Sequence, residues 1–427
     1  MKGTYMRVVQ INTVYGSGST GKIAAALFKA AAAEGYESYA VYGRGSKRYG
    51  SRNFYRTGNI ADFTGHVLVN FFAGKSGFGS KRATSRLLKW LDCVQPDILH
   101  LHNIHGFYVH VGMLFDYIRE HDIPVVWTLH DCWAFTGQCA YFDYAGCTRW
   151  KTGCYNCPVY RRDYPYSLFK DNSLENYQLK RVAFTGVRDM TIVTPSKWLA
   201  GLVGQSFLKD YPLEMIPNGI NLEIFKPVKE IGCRKKKIIL GVANVWSRRK
   251  GLEDFLELAQ ILDDCYHIVL IGVSAKQKTY IAKNFPRMIT PIQRTENQQE
   301  LAEWYSKAVV YVNPTWEDNF PTTNIEALAC GTPVVTYRTG GSPECIDEAC
   351  GMVVSKGDIN GIKAAVDVLS GRYPEICVKC LEKAKEYNEV TRFRDYVQLY
   401  GKILRRCGGK VKESLSQYED KCHYPGI

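Results

Sequence analysis

Short apolar runs alternate with helical patterns along most of the chain. Arg7 to Val14 is an apolar, β-branched run that ends in the glycine-rich turn Gly16–Gly21, and a helical pattern follows from Ile23 to Ala33. A strand, a glycine-rich turn and a helix in this order are typical of the start of a doubly wound α/β domain. Further strands are predicted at residues 38–42, 98–102, 125–129 and 191–194. The first half is therefore predicted to be Rossmann-like.

The same alternation returns in the second half, after a stretch without a clear period. Pro217 and Pro227 interrupt residues 217–230, as is typical of a linker. Strands are then predicted at residues 237–242, 267–271, 309–312 and 333–336. We expect an α/β protein with Rossmann-like domains at residues 1–216 and 217–392. Residues 393–427 should form a basic helix that returns to the first domain.

Length and charge narrow the function classes. A chain of 427 residues suits two domains of about 200 residues. The net charge of +13 favours acidic partners, but the basic residues are spread out and no aromatic-spaced nucleic-acid motif is present. Nucleic acid is therefore not an expected partner. No apolar stretch approaches the ~20 residues that cross a bilayer, and Met1–Met6 lacks the apolar core of a secretory signal. We expect a cytoplasmic protein.

The segment that indicates a binding site most clearly is PTWEDNFPTTNIEALACGTP, from residue 314 to residue 333. It follows a predicted strand and enters a helix near Thr322. The first amides of a helix have no partner within it and the helix dipole is positive there, so a diphosphate can bind at this point. Glu326, about one turn later, could accept hydrogen bonds from ribose hydroxyls. A plain helix cap with a solvated carboxylate is the alternative.

The glycine-rich turn nearly matches a phosphate-binding P-loop. Gly16 to Lys22 fits the pattern, but Ile23 stands where a Ser or Thr would bind magnesium. An ATP-hydrolysing P-loop enzyme is therefore an alternative function. A noncatalytic sugar-binding protein is another.

Five of the 15 cysteines lie between Cys132 and Cys157. In a reducing compartment such clustering indicates a metal before disulfides. A structural zinc site in an insertion at about residues 132–165 is one interpretation, and four free thiols in a packed loop is the other. Its ligands would be Cys139, Cys147, Cys154 and Cys157.

The segment around Asp318 resembles the acid-x7-Glu signature of glycosyltransferase family 4. Asp318 and Glu326 have the required spacing, and GTPVV follows from Gly331. The family usually has Glu at the first position, so Glu317 is an alternative carboxylate. The first half resembles colanic-acid-type exopolysaccharide glycosyltransferases. The motifs that carry this likeness are GFGSKRAT from residue 77, HLHNIHG from residue 100, WTLHDCWAFTG from residue 127 and VTPSKWL from residue 193.

This resemblance implies a retaining hexosyltransferase of the GT-B type, with two Rossmann-like domains facing each other across a cleft. The family places an arginine and a lysine on the donor diphosphate, which here are Lys250 and either Arg248 or Arg249; we favour Arg249. The catalytic set implied is His130, Asp318, Arg249 and Lys250. The donor-binding set is Gly18, Arg248, Asn319, Phe320, Pro321, Thr322, Thr323 and Glu326. The acceptor side would include Ser19, Thr20, His102 and His105, although His102 and His105 could instead bind a metal if they converge.

The resemblance also implies the reaction and its partners. A UDP- or GDP-sugar would supply the sugar, and a growing glycan, free or lipid-linked, would accept it during exopolysaccharide, capsule or lipopolysaccharide synthesis. The acceptor hydroxyl would attack the face that the phosphate leaves, and a donor phosphate oxygen would take its proton, so that no cofactor is required for catalysis. Residues 63–90 mix apolar and basic side chains. Peripheral contact with the inner face of the cytoplasmic membrane, or a buried helix pair, would explain them equally well.

Overall fold

A computed structural model describes residues 6–45, 49–228 and 237–406. The chain divides into two compact units. Unit 1 contains the described residues of Met1–Pro195, Ala200–Ile216 and Phe393–Ile427, and unit 2 those of Ser196–Leu199 and Pro217–Arg392. Within these ranges no helix combines the length and the apolar character that crossing a bilayer requires.

Unit 1 is built on a parallel sheet of seven strands in the order β3-β2-β1-β4-β5-β6-β7. The strands are β1 Arg7–Val14, β2 Glu37–Arg44, β3 Phe54–Arg56, β4 Ile98–Leu101, β5 Val125–Thr128, β6 Met190–Thr194 and β7 Leu213–Met215. The first six helices of the chain are α1 Gly18–Ala33, α2 Ile60–Ala73, α3 Lys81–Val94, α4 Val111–Glu120, α5 Ser173–Phe184 and α6 Lys197–Val203.

Unit 2 has a parallel sheet of six strands in the order β10-β9-β8-β11-β12-β13. The strands are β8 Lys237–Val242, β9 Tyr266–Ile271, β10 Ile289–Ile292, β11 Val310–Asn313, β12 Val334–Tyr337 and β13 Gly351–Val354. The remaining helices are α7 Leu252–Ile261, α8 Ala275–Asn284, α9 Gln298–Lys307, α10 Thr322–Ala329, α11 Ile359–Gly371, α12 Glu375–Ala384 and α13 Glu389–Arg406.

The predicted α/β class with two parallel-sheet domains is confirmed. All the strands read from the sequence are present within one or two residues at each end. The four that it missed, β3, β7, β10 and β13, are the edge strands of the two sheets. They have three or four residues and are partly exposed, and apart from β13 (GMVV) they lack the apolar runs by which the central strands are recognised.

The last described helix belongs to the core of unit 1 from Phe393 onward. Tyr400 and Ile403 of α13 are almost inaccessible to solvent and pack in one apolar cluster with Val8 of β1 and Leu27 of α1. The helix begins at Glu389, four residues earlier than the sequence predicted. Residues of the predicted helix beyond Arg406 lie outside the described part of the chain.

Both sheets reverse their strand order once. In unit 1 the reversal lies between β1 and β4, and in unit 2 between β8 and β11. Open parallel sheets bind their ligands beyond the carboxyl ends of the strands at such a reversal. The loops after β1, β4 and β5, and those after β8, β11 and β12, are therefore where functional side chains are expected.

Candidate functional site

The loop after β8 packs closely against the loop after β11, because the residue at the contact is a glycine without a side chain. Arg248–Lys250 forms one 3-10 turn and ends at Gly251, whose φ is 75°. A Cβ atom at Gly251 would lie 2.2 Å from the carbonyl oxygen of Pro314. Only glycine allows this approach, which brings the basic turn to the segment that precedes α10.

The two loops meet in an ion pair between Lys250 and Asp318. The ammonium group of Lys250 contacts Asp318 Oδ2, and the backbone N–H of Asn319 donates to Asp318 Oδ1 over 2.9 Å. Burial opposes ionisation of this carboxyl, but Lys250 and Arg249 outweigh it and hold the pKa of Asp318 below its usual value. Asp318 is therefore a carboxylate that fixes the position of Lys250.

The structure separates the two candidate arginines. Arg249 donates from Nη1 to the carbonyl oxygen of Glu317 over 2.6 Å. Arg248 is exposed, and its Nε lies 3.9 Å from Glu253. The side chain of Glu317 is inaccessible to solvent. Asp318 is thus the carboxylate that contacts Lys250, and Arg249, whose charge also acts on Asp318, is the arginine nearer to this loop.

Helix α10 begins directly after this ion pair. Its first residue, Thr322, follows Pro321, whose side chain makes no capping hydrogen bond. Thr322 and Thr323 are half-buried there, with their amides in the first turn. One turn later, Glu326 accepts a hydrogen bond from the hydroxyl of Tyr305 over 3.1 Å. The helix start and its carboxylate therefore follow directly after the loop that contacts Lys250.

Two adjacent glycines, which were not predicted as site residues, pack against the loop that contains Asp318. Gly340 and Gly341 follow β12, and a Cβ on either would lie 2.0 Å from the carbonyl oxygen of Asp318 or Asn319, respectively. The N–H of Gly341 donates to the Asp318 carbonyl over 3.1 Å. The pair of glycines after a predicted strand was the available signal.

Asn319 and Phe320 have their side chains turned inward. Asn319 Oδ1 accepts from the hydroxyl of Ser196 over 2.6 Å, and Phe320 is buried with its carbonyl bonded to Asn218 Nδ2 over 3.0 Å. Ser196 also caps α6, because its hydroxyl accepts from the N–H of Leu199. Asn319 and Phe320 thus help to fix the conformation of the loop.

In unit 1 the strand-end histidines form two separate pairs. His102 Nδ1 lies 3.2 Å from His130 Nε2, and His105 Nε2 lies 2.9 Å from Asp131 Oδ2. Burial lowers the pKa of His130 to about 4, although Asp131 opposes the shift, so the ring is neutral near pH 7. Since His102 and His105 have different partners, the alternative of a metal bound between them is not supported.

Two family models match most of the chain. The model described as Glycosyltransferase Family 4 covers residues 20–224, and the model described as Glycosyl transferases group 1 covers residues 236–371. The chain belongs to glycosyltransferase family 4.

Relatives and solved structures agree with this membership. The protein named "Putative colanic acid biosynthesis glycosyl transferase WcaC", from Escherichia coli K12, is 24% identical over 83% of this chain and 88% of its own length. Sucrose-phosphate synthase from Thermosynechococcus elongatus has the same fold, with a TM-score of 0.70 and 17% identity over 94% of this chain and all of that one. Anabaena Alr3699/HepE, solved with UDP and glucose, gives a TM-score of 0.63 and 11% identity over 93% of this chain and all of that one. The fold is thus that of GT-B glycosyltransferases.

The glycine-rich loop of this family 4 glycosyltransferase does not have P-loop side chains. Gly18 is the first residue of α1; Ser19 is exposed and Thr20 is half-buried beside it. Lys22 is also exposed, and Ile23 is 6% exposed in the apolar core. The residue that would bind magnesium is therefore an apolar core residue, and the ATPase alternative is not favoured.

The cysteine-rich insertion of the glycosyltransferase follows β5 and contains three short 3-10 segments. Cys139, Cys147, Cys154 and Cys157 line one small cavity there. Across the described residues, no group of three or more His, Cys, Asp or Glu side chains is arranged so that it could hold a metal ion. The predicted ligands are thus gathered without forming a finished coordination sphere.

Proposed function

We propose that this glycosyltransferase is a retaining hexosyltransferase that uses a nucleoside-diphosphate sugar. It extends a glycan in bacterial exopolysaccharide, capsule or lipopolysaccharide synthesis. The observation that carries the proposal is the contact of Arg249 and Lys250 with Glu317 and Asp318, in the loop that leads into α10. The name of WcaC and the UDP and glucose bound to HepE support the class of product and of donor.

In the proposed reaction the cations stabilise the departing diphosphate. Lys250 has three N–H donors, of which the Asp318 carboxylate occupies one direction. The other donors, with Arg249 and the first-turn amides of Thr322 and Thr323, bind phosphate oxygens. Negative charge grows on the leaving group as the glycosidic bond breaks, so these contacts strengthen in the transition state and lower the barrier.

Glu326 and Tyr305 select the nucleoside part of the donor. The Tyr305 hydroxyl orients one carboxylate oxygen of Glu326. A half-buried carboxylate one turn inside the helix accepts hydrogen bonds from two ribose hydroxyls. In this proposal neither side chain binds the nucleobase. A UDP-sugar and a GDP-sugar are therefore both consistent with it.

In unit 1 we assign His130 to a hydroxyl group of the sugar. Its imidazole is neutral near pH 7 and is held through Nε2 by His102. A neutral imidazole can donate one hydrogen bond and accept another, and it carries no positive charge. That proton goes to a phosphate oxygen of the donor, so no protein base is needed.

An exposed apolar surface on unit 1 suits a lipid-linked acceptor at the inner leaflet. Leu68 and Phe72 of α2 are 49% and 55% exposed, and Phe169, which is 64% exposed, stacks on Phe72 with ring centroids 5.2 Å apart. Lys170 follows on the same surface. Exposed aromatic rings beside basic groups favour an anionic membrane interface, so we propose peripheral membrane contact at this point.

Donor turnover tests the proposal. Purified protein is incubated with UDP- and GDP-sugars, with and without anionic vesicles, and nucleoside diphosphate release is measured. One donor should turn over, its product should keep the anomeric configuration by NMR, and Glu326→Ala and Lys250→Ala should each lower kcat/KM by at least about 100-fold (about 2.7 kcal/mol). Lys276→Ala, an exposed lysine of α8, is the matched control and should retain activity.

Inverted configuration would overturn the retaining mechanism. Undiminished turnover by Lys250→Ala would remove that lysine from the site. Protein that binds anionic and neutral vesicles equally, or neither, would exclude the proposed membrane surface. ATP hydrolysis without any sugar-donor turnover would return the function to the P-loop alternative.

A further inference from the structure

Four cysteines of unit 1 surround one cavity in the loop after β5. Cys139, Cys147, Cys154 and Cys157 come from a span of nineteen residues and share the lining of a space of about 10 Å³. That volume is close to the room needed by a single water-sized particle. Cys139 and Cys154 are only 5% and 7% exposed. Two of the four sulfurs are therefore almost shielded from solvent, while Cys147 and Cys157 are half-buried.

The thiols contact each other and the surrounding backbone. The thiols of Cys139 and Cys157 are within hydrogen-bond contact. The N–H of Gly137 donates to Cys154 Sγ over 3.2 Å. Backbone N–H groups that point at cysteine sulfur are the outer contacts that stabilise a sulfur ligand as a thiolate. The Gly137 N–H thus already supplies Cys154 with one contact of this kind.

The Cys-x2-Cys turn has an unusual backbone. Cys154 and Asn156 both have a φ of 46°, in the left-handed region that residues other than glycine seldom adopt. Such a conformation costs on the order of 1 kcal/mol or more for each residue. Cys154 and Asn156 keep this conformation in a turn whose two cysteines, Cys154 and Cys157, line the same cavity.

A buried lysine beside the thiols lacks a matching negative charge. Lys180 is inaccessible to solvent, and its Nζ donates to the carbonyl oxygens of Trp133 and Thr136 over 2.8 and 2.9 Å. Among the described carboxylates none forms an ion pair with it. Of the titratable groups that act on it electrostatically, Cys154 and Cys139 are thiols and Asp131 already pairs with His105. A buried cation needs an anion nearby to offset its lost hydration.

We propose that Cys139, Cys147, Cys154 and Cys157 close around one Zn²⁺ as a structural tetrathiolate site, with Lys180 as its buried counter-charge. Four thiolates and Zn²⁺ carry a net charge of −2, which supplies the anion that Lys180 lacks. Thiolate ligands select zinc over hard cations such as Mg²⁺. Because the protein fills all four positions, the ion binds no substrate.

Zinc binding would release protons from the thiols and would require a small movement of the loop. Each thiol releases its proton to solvent as its sulfur bonds to the ion, so four protons leave for one Zn²⁺ that enters. The sulfurs line the cavity but do not yet enclose an ion, so the loop must tighten by side-chain rotation or a slight backbone shift. The ion would then pin the insertion that begins at His130 and Asp131.

Metal analysis and cobalt substitution test the site. Full-length protein purified under reducing conditions without added metal should contain one zinc per chain. Replacement by Co²⁺ should give the intense sulfur-to-cobalt charge-transfer bands and visible bands of a tetrahedral thiolate complex. Cys139→Ser and Cys157→Ser should lose the zinc, while Cys265→Ser, an exposed cysteine of unit 2, should keep it.

Lys180→Met tests the counter-charge without removing a ligand. It should keep the cobalt spectrum but release zinc to a chelator at least about tenfold more readily. Wild-type protein that contains no zinc and gives no cobalt–thiolate bands would overturn the proposal, as would a disulfide among the four cysteines. Because the wild-type cobalt spectrum needs no substitution, misfolding of the serine variants cannot decide the test.

Discussion

Asp318 shows how one side chain organises several loops. Its carboxylate accepts from Lys250 and from the N–H of Asn319, and its carbonyl accepts from Gly341. The family usually has the longer glutamate at this position. The shorter aspartate remains beside Lys250, so its proposed contribution is to position the cation rather than to reach the donor.

The buried histidines predict a pH-dependent stability. His66 and His100 are 2% and 0% exposed, and their burial lowers both pKa values to about 3. The unfolded chain, with a histidine pKa near 6.5, then binds more protons than the folded chain, so stability is complete above about pH 6.5 and decreases as the pH falls toward 3. Each histidine should cost about 2 kcal/mol of unfolding free energy between pH 6.5 and 5.

Denaturant unfolding of wild-type protein at pH 7 and pH 5 checks this expectation. In His66→Asn/His100→Gln the amides replace the rings without titrating in this range. The double variant should therefore lose less stability on acidification than wild type does. Equal losses would mean that other groups cause the pH dependence.

The strands that could be predicted from the sequence are those that are buried on both faces of the sheet. β1, β4 and β5 are central strands whose β-branched and apolar runs identify them directly. The edge strands are short and half-exposed, and apart from β13 no such run marks them. The approach of the Gly340–Gly341 loop to Asp318 was also not predictable, because contacts between loops distant in sequence have no local pattern.

Gly251 tests the geometry of the junction between the two loops. Gly251→Ala would combine a φ of 75° with a Cβ atom 2.2 Å from the Pro314 carbonyl oxygen. We expect a loss of at least about 1–3 kcal/mol in unfolding free energy, and reduced donor turnover because Lys250 shifts. Gly371→Ala, where a Cβ would meet nothing within 4 Å, should be neutral or stabilising by up to about 1 kcal/mol. Similar losses in both variants would contradict the role of this contact.

At the scale of the whole molecule, the repeated strand and helix pattern was sufficient to predict two parallel-sheet units, and the acid-x7-Glu spacing indicated the family. The choice between Arg248 and Arg249 could not be made from spacing, because a 3-10 turn sends adjacent side chains in different directions. The same applies to the histidines after β4, whose separate partners, His130 and Asp131, follow another strand.

The central claim is that the basic turn and the start of α10 form a diphosphate site. Isothermal titration with UDP, GDP, UMP and GMP tests it most directly. One diphosphate should bind at least about tenfold more tightly than its monophosphate, and Arg249→Ala and Lys250→Ala should each weaken it by at least about tenfold (about 1.4 kcal/mol). Arg287→Ala, an exposed arginine of unit 2, should leave the affinity unchanged. Diphosphate binding that survives both substitutions, or binding of neither diphosphate, would contradict the account.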